Sequence, residues 1–329
     1  MNKKVSIIIV NWNGERYLRV CLSSLLFQTY ANREIIFVDN GSTDDSVRYV
    51  KERFPAVNVI ELRENTGFTG GNAAGVKVAN GEYLALVNND TRVHERWLEN
   101  LIQPMLADRN VGICASRILF EADGSFDSAG GGITTAAVGF NQGLNQGAEG
   151  FASPSRVFGA CGAAVLYRHR MIEEIGFLDE DFFLYDEDAD LSFRAQHAGW
   201  KCVYVPNAVA YHKGNATSGR LSETHVYYHT RNLEFVWIKN MPLGLMLRFA
   251  HEKLLQEIGS FCYLCLRHGK LVPYLRAKRD ALKMLPVMWK KRRTIQARRR
   301  VSNVYLRTLM TSMFTWDFVR QKIRQFIAG

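Results

Sequence analysis

The chain has 329 residues, of which 47% are hydrophobic and 22% are charged, and this composition excludes a disordered or fibrous protein. Residues 1–239 contain 23 Lys and Arg against 28 Asp and Glu, whereas residues 240–329 contain 19 against 4, so the formal net charge of +10 is unevenly distributed. The sequence therefore predicts an acidic body followed by a basic tail.

Short apolar runs alternate with amphipathic segments through the acidic body. Runs rich in β-branched residues predict strands at 5–10, 34–38, 57–62, 83–87 and 111–116. Apolar residues at helical spacing predict helices near 18–26, 47–54, 72–79 and 94–106. Ser42 or Thr43 is expected to cap the second of these helices. Such alternation predicts an α/β domain with a mostly parallel sheet flanked by helices.

Polar residues follow three of the predicted strands. They are "NWN" at 11–13, "DN" at 39–40 and "NND" at 88–90. Any one of these segments is equally well explained as an ordinary turn, but three at one sheet edge favour a ligand site. Asp39 can accept the imide N–H of uracil or thymine. Asp90 offers a hard oxygen ligand for a Mg²⁺ or Mn²⁺ that also binds a diphosphate.

A glycine-rich segment, "ENTGFTGGNAAG" at 64–75, lies between the second and fourth predicted strands. Gly67, Gly70 and Gly71 are expected just before a helix, where the backbone can approach a sugar or phosphate closely. The segment is not a dinucleotide-binding fingerprint, because that motif would follow the first strand.

Five segments of the body occur in a characteristic order and spacing: "VSIIIVNWNG", "IIFVDNGSTDDS", "NTGFTGGNAAG", "YLALVNND" and "GFLDEDFFLYDEDADLSFRAQHAGW". Together they resemble the inverting family 2 glycosyltransferases of the GT-A fold, particularly rhamnosyltransferase-like members that build bacterial surface polysaccharides. The resemblance covers residues 4–239. It implies a GT-A glycosyltransferase domain over residues 1–239 and leaves the tail, residues 240–329, outside it.

The resemblance also implies the substrates. The donor is expected to be a UDP- or dTDP-linked sugar, with rhamnose as a candidate, and the acceptor a hydroxyl of a lipid-linked glycan. Residues at the matching positions are expected to bind the donor: Val10, Asn11, Asn13, Asp39, Asn40, Asn65, Gly67, Phe68, Gly71, Asn72, Asn88, Asn89 and Lys213.

The segment "YDEDADLSFR" at 185–194 is implied to supply the catalytic carboxylates, Glu187 and Asp188, with Asp188 as the base. Inversion in one displacement needs a carboxylate to take the proton of the acceptor hydroxyl and needs no enzymic nucleophile. Asp190 and Arg194 are expected to form an intrahelical ion pair, in a helix that Gly199 ends. The competing interpretation is a solvated acidic helix start. Asp186 departs from the family, where an aromatic residue is usual.

The metal site is implied to contain Asp90 and His212. "NND" has one carboxylate where many family members have Asp-x-Asp, so a second ligand is needed. His212 would supply imidazole, which suits Mn²⁺ better than Mg²⁺, although a structural histidine is the alternative. Lys213 and Arg220 are expected to neutralise the departing diphosphate.

A segment between the body's motifs is long and rich in glycine. Residues 121–150 contain eight glycines within a connection that spans 120–158. We interpret this connection as a lid or acceptor-lining loop, with disorder as the competing view.

The tail mixes apolar residues with basic clusters such as "WKKRRTIQARRR" at 289–300 and "FVRQKIRQFI" at 318–327. Basic amphipathic helices of this kind bind anionic membrane surfaces. Nucleic acid is the rival partner and is not expected, since no nucleic-acid motif is present. Charged residues interrupt every apolar stretch, so no membrane-spanning helix is expected. Cys262 and Cys265 are interpreted as packing residues.

The sequence thus predicts an inverting, metal-dependent glycosyltransferase. Six irregularly spaced cysteines and no apolar segment after "MNKK" favour the cytoplasm, with peripheral binding to the inner face of the plasma membrane. The alternative is a catalytically weak scaffold protein that binds sugar nucleotides at the membrane. The sugar, the nucleotide and the acceptor are left open.

Overall fold

Twelve of the thirteen described strands lie in the first two thirds of the chain, and the thirteenth lies near its end. The computed structural model describes residues 3–147, 150–214 and 221–315. Its strands are β1 (Val5–Asn11), β2 (Arg33–Asp39), β3 (Asn58–Glu61), β4 (Tyr83–Val87), β5 (Thr91–Val93), β6 (Val111–Phe120), β7 (Phe126–Ser128), β8 (Gly131–Thr134), β9 (Gly139–Asn141), β10 (Ser155–Val157), β11 (Ala164–Arg168), β12 (Lys201–His212) and β13 (Met310–Thr311).

The three longest described helices follow one another in the chain after β12. The helices are α1 (Glu15–Leu26), α2 (Ser46–Arg53), α3 (Gly67–Val78), α4 (Trp97–Ala107), α5 (His169–Ile175), α6 (Glu187–His197), α7 (Glu223–Asn240), α8 (Leu243–Phe261), α9 (Leu271–Ala297) and α10 (Asn303–Thr308). A 3₁₀ turn, Glu180–Phe182, precedes α6, and a π-helical segment, Cys262–Arg267, extends α8.

The main sheet has the strand order β10-β12-β6-β11-β4-β1-β2-β3, with β5 on β12 and β7 on β6. Strands β1, β2, β3 and β4 are mutually parallel, as are β6 and β12. Strand β11 is antiparallel to both of its neighbours and joins these two parallel sets. Six of the ten strands run in one direction, and β5, β7, β10 and β11 are antiparallel to their neighbours, so the sheet is mixed. Apolar clusters pack on each of its two faces.

Two local predictions are wrong. Helix α2 begins after Asp45, which makes no side-chain cap, so neither Ser42 nor Thr43 caps it. Ser42 instead bonds to Asn11 and Asn13, at the end of β1. Helix α3 begins at Gly67, so the glycines expected before a helix lie inside it.

The glycine-rich connection is ordered over its described residues, which removes disorder as an explanation for them. It contributes β7 and β10 to the main sheet. Strands β8 and β9 form a small second sheet with β13, which comes from the far end of the chain. This segment therefore connects the body to the tail.

The helices after α7 pack onto the body around a third apolar cluster. Phe193 of α6 and Phe235 of α7 share this cluster with Phe249 of α8 and Met288 of α9. The division at residues 239 and 240 falls at the last residue of α7, and the two sides share buried side chains. None of the helices in the described ranges combines the length and apolarity needed to cross a bilayer.

Candidate active site

The carboxyl ends of β1 and β2 form the first part of the site. Parallel register places Asn11 beside Asp39, and both side chains are buried. Asp39 Oδ2 accepts a hydrogen bond from the Ser42 N–H at 2.9 Å. Asp39 Oδ1 is buried and has no hydrogen-bond partner among the described residues. Because such an oxygen is costly to bury, it is an acceptor that a donor group of a ligand can satisfy.

Side-chain amides connect this edge to the end of β4. Asn89 Nδ2 donates to Asn11 Oδ1 at 2.7 Å, and Asn11 Nδ2 donates to Ser42 Oγ at 3.3 Å. Asn13 adopts a φ of 51°, and its Oδ1 accepts the Thr43 N–H at 2.7 Å. The polar groups at the ends of three strands therefore lie together, as the sequence predicts.

Asn40 and Asn65 hold the turn that precedes α3. Asn40 Nδ2 donates to Asn65 Oδ1 at 3.1 Å and to the Gly67 carbonyl at 2.9 Å, while its Oδ1 accepts the Thr66 N–H at 2.9 Å. Asn65 Oδ1 also accepts the Gly67 N–H at 2.9 Å. These amide groups are engaged within the protein, where they fix the turn.

The remaining residues of α3 that were expected to bind the donor serve close packing in this structure. A Cβ at Gly71 would lie 2.6 Å from Val10 Cγ1, so glycine lets α3 approach β1. A Cβ at Gly67 would lie 2.4 Å from a backbone carbonyl of the loop before α6. Phe68 packs against the apolar cluster on this face, and Asn72 Nδ2 donates to the Phe68 carbonyl at 2.8 Å.

A histidine between two carboxylates marks the other side of the site. His212, at the end of β12, places Nε2 3.2 Å from Asp90 Oδ1 and Nδ1 2.7 Å from Asp127 Oδ2. Burial disfavours the imidazolium, but the bonds to Asp127 and Asp90 outweigh it and raise the pKa of His212 to about 10. Asp127 lies on β7 in the glycine-rich connection, and sequence reasoning missed it.

The donor atoms present here suit a divalent cation. A carboxylate oxygen and an imidazole nitrogen are ligands that Mn²⁺ accepts, and a carboxylate on the far nitrogen is the usual support of a metal-binding histidine. Within the described residues, no group of three His, Cys, Asp or Glu side chains is arranged to hold a metal. Asp90 and His212 thus fit a metal that takes its other ligands from a bound diphosphate or water.

Lys213 follows His212 at the surface. Its Nζ lies 5.0 Å from the ring centroid of Tyr17 and 3.9 Å from the Glu121 carboxylate. The side chain is exposed, so it can turn toward an anion beside the histidine. Arg220, its predicted companion, lies outside the described residues.

Partners explain how α6 tolerates the acidic cluster at its start. Asp186 Oδ2 lies 2.8 Å from His229 Nδ1 on α7. Asp190 is fully buried and forms the predicted pair with Arg194 at 2.9 Å, together with a 2.8 Å contact to Lys239. Burial opposes ionisation of Asp190, but Lys239 and Arg194 hold the pKa of that carboxyl well below its usual range. Two of the four carboxylates therefore have internal partners, and with Glu187 and Asp190 buried the cluster is not a solvated helix start.

Asp188 and Glu187 are the two members of the cluster that have no cationic partner within 4 Å among the described residues. Asp188 Oδ2 accepts the Gly162 N–H at 3.3 Å, and Oδ1 accepts the Ala189 N–H at 2.7 Å. Burial and then the charge of Asp186 raise the pKa of Asp188 to about 6. Burial and then Asp188 raise the pKa of Glu187 well above its usual value, and Glu187 Oε2 is buried without a partner.

The segment after β10 joins the carboxylates to the strand ends. Gly162 donates to Asp188, and the neighbouring Ala163 carbonyl accepts the Asn88 N–H at 3.0 Å. Burial, and then the charges of Asp127 and Asp188, raise the pKa of the Cys161 thiol well above its usual value. This short segment thus contacts Asp188 and the end of β4, and it lies close to Asp127, the partner of His212.

The loop that leads into α6 is held in an unusual backbone conformation. Phe183, Tyr185 and Asp186 have φ values of 65°, 70° and 63°, in the left-handed region that L side chains disfavour. Asn232 Nδ2, on α7, donates to three carbonyls of this segment, those of residues 182, 184 and 185, at 2.8–3.0 Å. Asn232 therefore positions the loop, and no motif in the sequence indicated this.

Comparison with known proteins identifies the matched part of the chain. Residues 6–176 match the family described as glycosyl transferase family 2. An uncharacterized glycosyltransferase of Escherichia coli, YibD, is 36% identical over 108 residues, which are 32% of this chain and 31% of that protein. An N-acetylglucosaminyl-diphospho-decaprenol L-rhamnosyltransferase of Mycobacterium tuberculosis is 25% identical over 263 residues, covering 70% of this chain and 83% of that protein. Across the first four curated relatives, the alignments span less than half of those proteins' lengths.

Solved structures share the fold at low sequence identity. The structure of GalNAc-T7 with UDP, GalNAc and Mn²⁺ has a TM-score of 0.57, 19% identity and coverage of 71% of this chain and 48% of that one. A mannosyltransferase of Pyrobaculum calidifontis in complex with GDP-Man and Mn²⁺ has a TM-score of 0.56, 16% identity and coverage of 93% and 86%. The predicted GT-A fold, with a helical C-terminal region, is confirmed.

Proposed function

The chain belongs to glycosyl transferase family 2, and on that premise we propose that it transfers a sugar from a nucleoside-diphosphate donor to an acceptor hydroxyl with inversion. The observation that carries this proposal is Asp188. It is a carboxylate at the start of α6 without a cationic partner within 4 Å, and its raised pKa suits a general base that works near neutral pH. Asp186 bonds to His229, and Asp190 bonds to Arg194 and Lys239. Burial and then the charge of Asp188 raise the pKa of Glu187 well above its usual value, which disfavours the ionised form that a base needs.

The proposed step is a single displacement. The acceptor hydroxyl attacks the anomeric carbon, its proton passes to Asp188, and the bond from that carbon to the diphosphate breaks with the electron pair leaving on the diphosphate. Asp188 is ionised above pH 6, so it can accept the proton. The Gly162 and Ala189 N–H groups orient the carboxylate but compete for its lone pairs.

The proposed donor carries uracil or thymine. Asp39 Oδ1 is a buried acceptor that has no partner among the residues the structure describes, and the imide N–H of either base would satisfy it. Guanine also presents an N–H edge, and one structural neighbour was solved with GDP-Man, so the choice of base requires measurement. The sugar is open, with rhamnose suggested by the Mycobacterium tuberculosis relative.

The proposed cofactor is Mn²⁺ or Mg²⁺, held by Asp90 and His212 with Asp127 orienting the histidine. A bound cation would neutralise charge on the departing diphosphate. Lys213 lies next to His212 and would add a second positive charge. The two structural neighbours described with Mn²⁺ support a cation in this fold.

The proposed acceptor is a lipid-linked glycan, reached from the membrane surface. Twenty large apolar side chains are exposed in the described ranges, and fifteen of these lie between residues 243 and 314. Helix α8 buries Glu252, Lys253 and Gln256 while Leu247 and Leu254 are 73% and 61% exposed. A helix that exposes several large apolar side chains while it buries charged ones, in a basic region, fits an anionic bilayer surface.

The test of transfer is Asp188→Asn. Loss of the proton acceptor should reduce turnover at least about 100-fold and leave donor binding within a few-fold, because the side-chain volume is unchanged. Donor binding is measured by calorimetry and turnover by release of the nucleoside diphosphate in the presence of acceptor. Glu180→Gln, which neutralises an exposed carboxylate on the turn before α6, is the matched control. Turnover of Asp188→Asn equal to that of the control would exclude Asp188 as the base.

The second candidate is a protein that binds sugar nucleotides without transferring the sugar. The single carboxylate of the "NND" segment and the lack of a three-ligand group in the described residues favour it. Donor binding by the wild-type chain with no turnover on any acceptor, and no response to Asp188→Asn, would establish this candidate instead.

A further inference from the structure

A cavity of about 450 Å³ lies in the tail, between the start of α8 and the last turns of α9. Three arginines, Arg292, Arg293 and Arg299, line it together with Trp289, Leu243 and Gly244. The lining includes no carboxylate. None of the residues that line it belongs to the candidate active site. Arg292 bonds to the Ile238 carbonyl in the last turn of α7, whereas Asp186 bonds to His229, nine residues earlier in that helix.

These arginines differ from several other basic residues of the tail in that they are not paired with a carboxylate of the described residues. Lys253, Lys278, Lys291 and Arg300 each form an ion pair with a carboxylate. Across the described ranges, the three arginines of the cavity have no carboxylate within 4 Å. Their charges are therefore concentrated around one space and not neutralised by the protein.

Arg292 carries the strongest argument for an anion. Its side chain is 6% exposed, and its Nη1 donates to the Ile238 and Met241 carbonyls at 2.8 and 2.5 Å, which are neutral acceptors. Burial, and then the charge of Arg299, lower the pKa of Arg292. A buried cation that is paired only with neutral groups is stabilised when an anion enters beside it.

The start of α8 adds donors to the same wall. The N–H groups of Leu245 and Met246 bond to the Pro242 carbonyl, whereas Leu243 and Gly244 occupy the first helical positions, whose N–H groups have no partner within a helix. The helix dipole favours negative charge at this end. Leu243 is 59% exposed and Trp289 is 41% exposed, so the cavity has an apolar rim beside its polar lining.

We propose that this cavity is a second ligand site, separate from the donor site, that binds a phosphate group. Guanidinium groups and helix N–H groups together recognise phosphate oxygens by charge-assisted hydrogen bonds. The apolar rim, formed by Leu243 and Trp289, fits a phosphate carried by a lipid headgroup. The lipid source rests on the membrane association proposed above, but the phosphate chemistry does not.

The first experiment measures binding of the full chain to vesicles of phosphatidylcholine that contain either phosphatidic acid or an equal charge of oleate. The variant Arg293→Gln/Arg299→Gln removes two charges from the cavity. The control Lys290→Gln/Arg298→Gln removes two exposed charges that lie on the same stretch of chain but outside the cavity. We expect the cavity variant to bind vesicles with phosphatidic acid about tenfold or more weakly than the wild-type chain does. The control variant should lose no more affinity for vesicles with phosphatidic acid than it loses for vesicles with oleate.

Equal losses by both variants on both kinds of vesicle would overturn the proposal, because diffuse surface charge would then explain all binding. Since Arg299 also bonds to Asn303, the single variant Arg293→Gln, at an exposed position, repeats the test without touching that contact. Thermal melting and donor binding report whether each variant is folded.

The second experiment titrates the full chain with inorganic phosphate and follows thermal melting. A result in which phosphate raises the melting temperature of the wild-type chain but not that of Arg293→Gln would support the site. If the chain also shows no preference for phosphatidic acid, the ligand would be a soluble phosphate. Wild-type protein that ignores all vesicles but responds to phosphate through Arg293 would contradict the membrane proposal and support the cavity. No response to phosphate and no preference for phosphatidic acid would overturn the proposal.

Discussion

Carboxylates that lie close together at the site have different partners and different pKa values, which their charge alone does not reveal. Asp186, Asp188 and Asp190 lie within five positions, yet one bonds to a histidine, one to backbone N–H groups, and one to Arg194 and Lys239. The carboxyl without a cationic partner within 4 Å keeps a raised pKa, and the carboxyl beside two cations has a lowered pKa. Environment thus gives similar carboxyl groups of one cluster different pKa values, and the one with the raised pKa is the base that we propose.

The raised pKa of Asp188 predicts the pH dependence of transfer. Because only the ionised carboxylate accepts a proton, kcat/KM should fall as pH decreases through about 6. Asp186→Asn removes a like charge that raises this pKa, so the acid limb should move to lower pH, by roughly half a unit to one unit. Asparagine tolerates the left-handed backbone of position 186 and can still accept from His229. An acid limb that is unchanged in this variant would contradict the proposed electrostatic coupling.

Asp39 predicts a switch in base preference. In Asp39→Asn the amide oxygen should accept the Ser42 N–H, which turns the amide N–H₂ toward the position of Oδ1. That group would oppose the imide N–H of uracil but donate to the ring acceptor of cytosine. UDP binding should weaken at least about tenfold while CDP binding improves. Calorimetry with both nucleotides measures the switch, and Asp45→Asn, on an exposed residue nearby, is the control. Equal losses for UDP and CDP would place the base elsewhere.

Secondary-structure elements were predictable where local sequence decides them. The apolar runs in the sequence correctly predict β1, β2 and β4. The polar residues at the ends of these strands lie close together because the strands are parallel. The antiparallel strand β11 was not predicted, because its direction depends on long-range pairing with β4 and β6. Asp127 was missed for the same reason, since a tertiary contact with His212 brings it to the site.

Helix α7 predicts an effect on turnover from a residue outside the reaction. Asn232 holds three carbonyls of the left-handed loop that leads into α6. In Asn232→Ala the loop should relax and displace Asp188, so kcat should fall about tenfold or more while donor affinity stays within a few-fold. Thr224→Ala, at an exposed position of α7, is the matched control. Parallel losses in kcat and donor affinity would indicate general destabilisation instead of positioning.

At the scale of the molecule, the basic tail is integrated with the body. Lys291 of α9 bonds to Asp179 and Asp181 in the segment that precedes α6. Glu252 of α8 accepts hydrogen bonds from the Met313 N–H and from Thr135, the residue after β8. Composition reveals the change of charge near residue 240, but it cannot reveal these contacts. Removing the tail would expose a shared apolar cluster, so membrane binding is better tested with the full chain.

The last prediction separates the apolar part of membrane binding from the electrostatic part. Leu247, Leu254 and Ile258 lie on one face of α8 and are 51–73% exposed, so replacing all three with serine should leave the fold intact. Raising the salt from about 0.1 M to about 1 M shortens the Debye length from about 10 Å to about 3 Å, which suppresses attraction by the basic residues but not burial of apolar side chains. The wild-type chain should therefore stay partly bound to phosphatidylglycerol vesicles at high salt, and the triple variant should be released, as co-sedimentation can show. Val20, Phe27 and Val78, which are exposed on the body, provide a control triple when they are replaced with serine. Retention of the α8 variant at high salt, or release of both triples alike, would contradict insertion of this helix face.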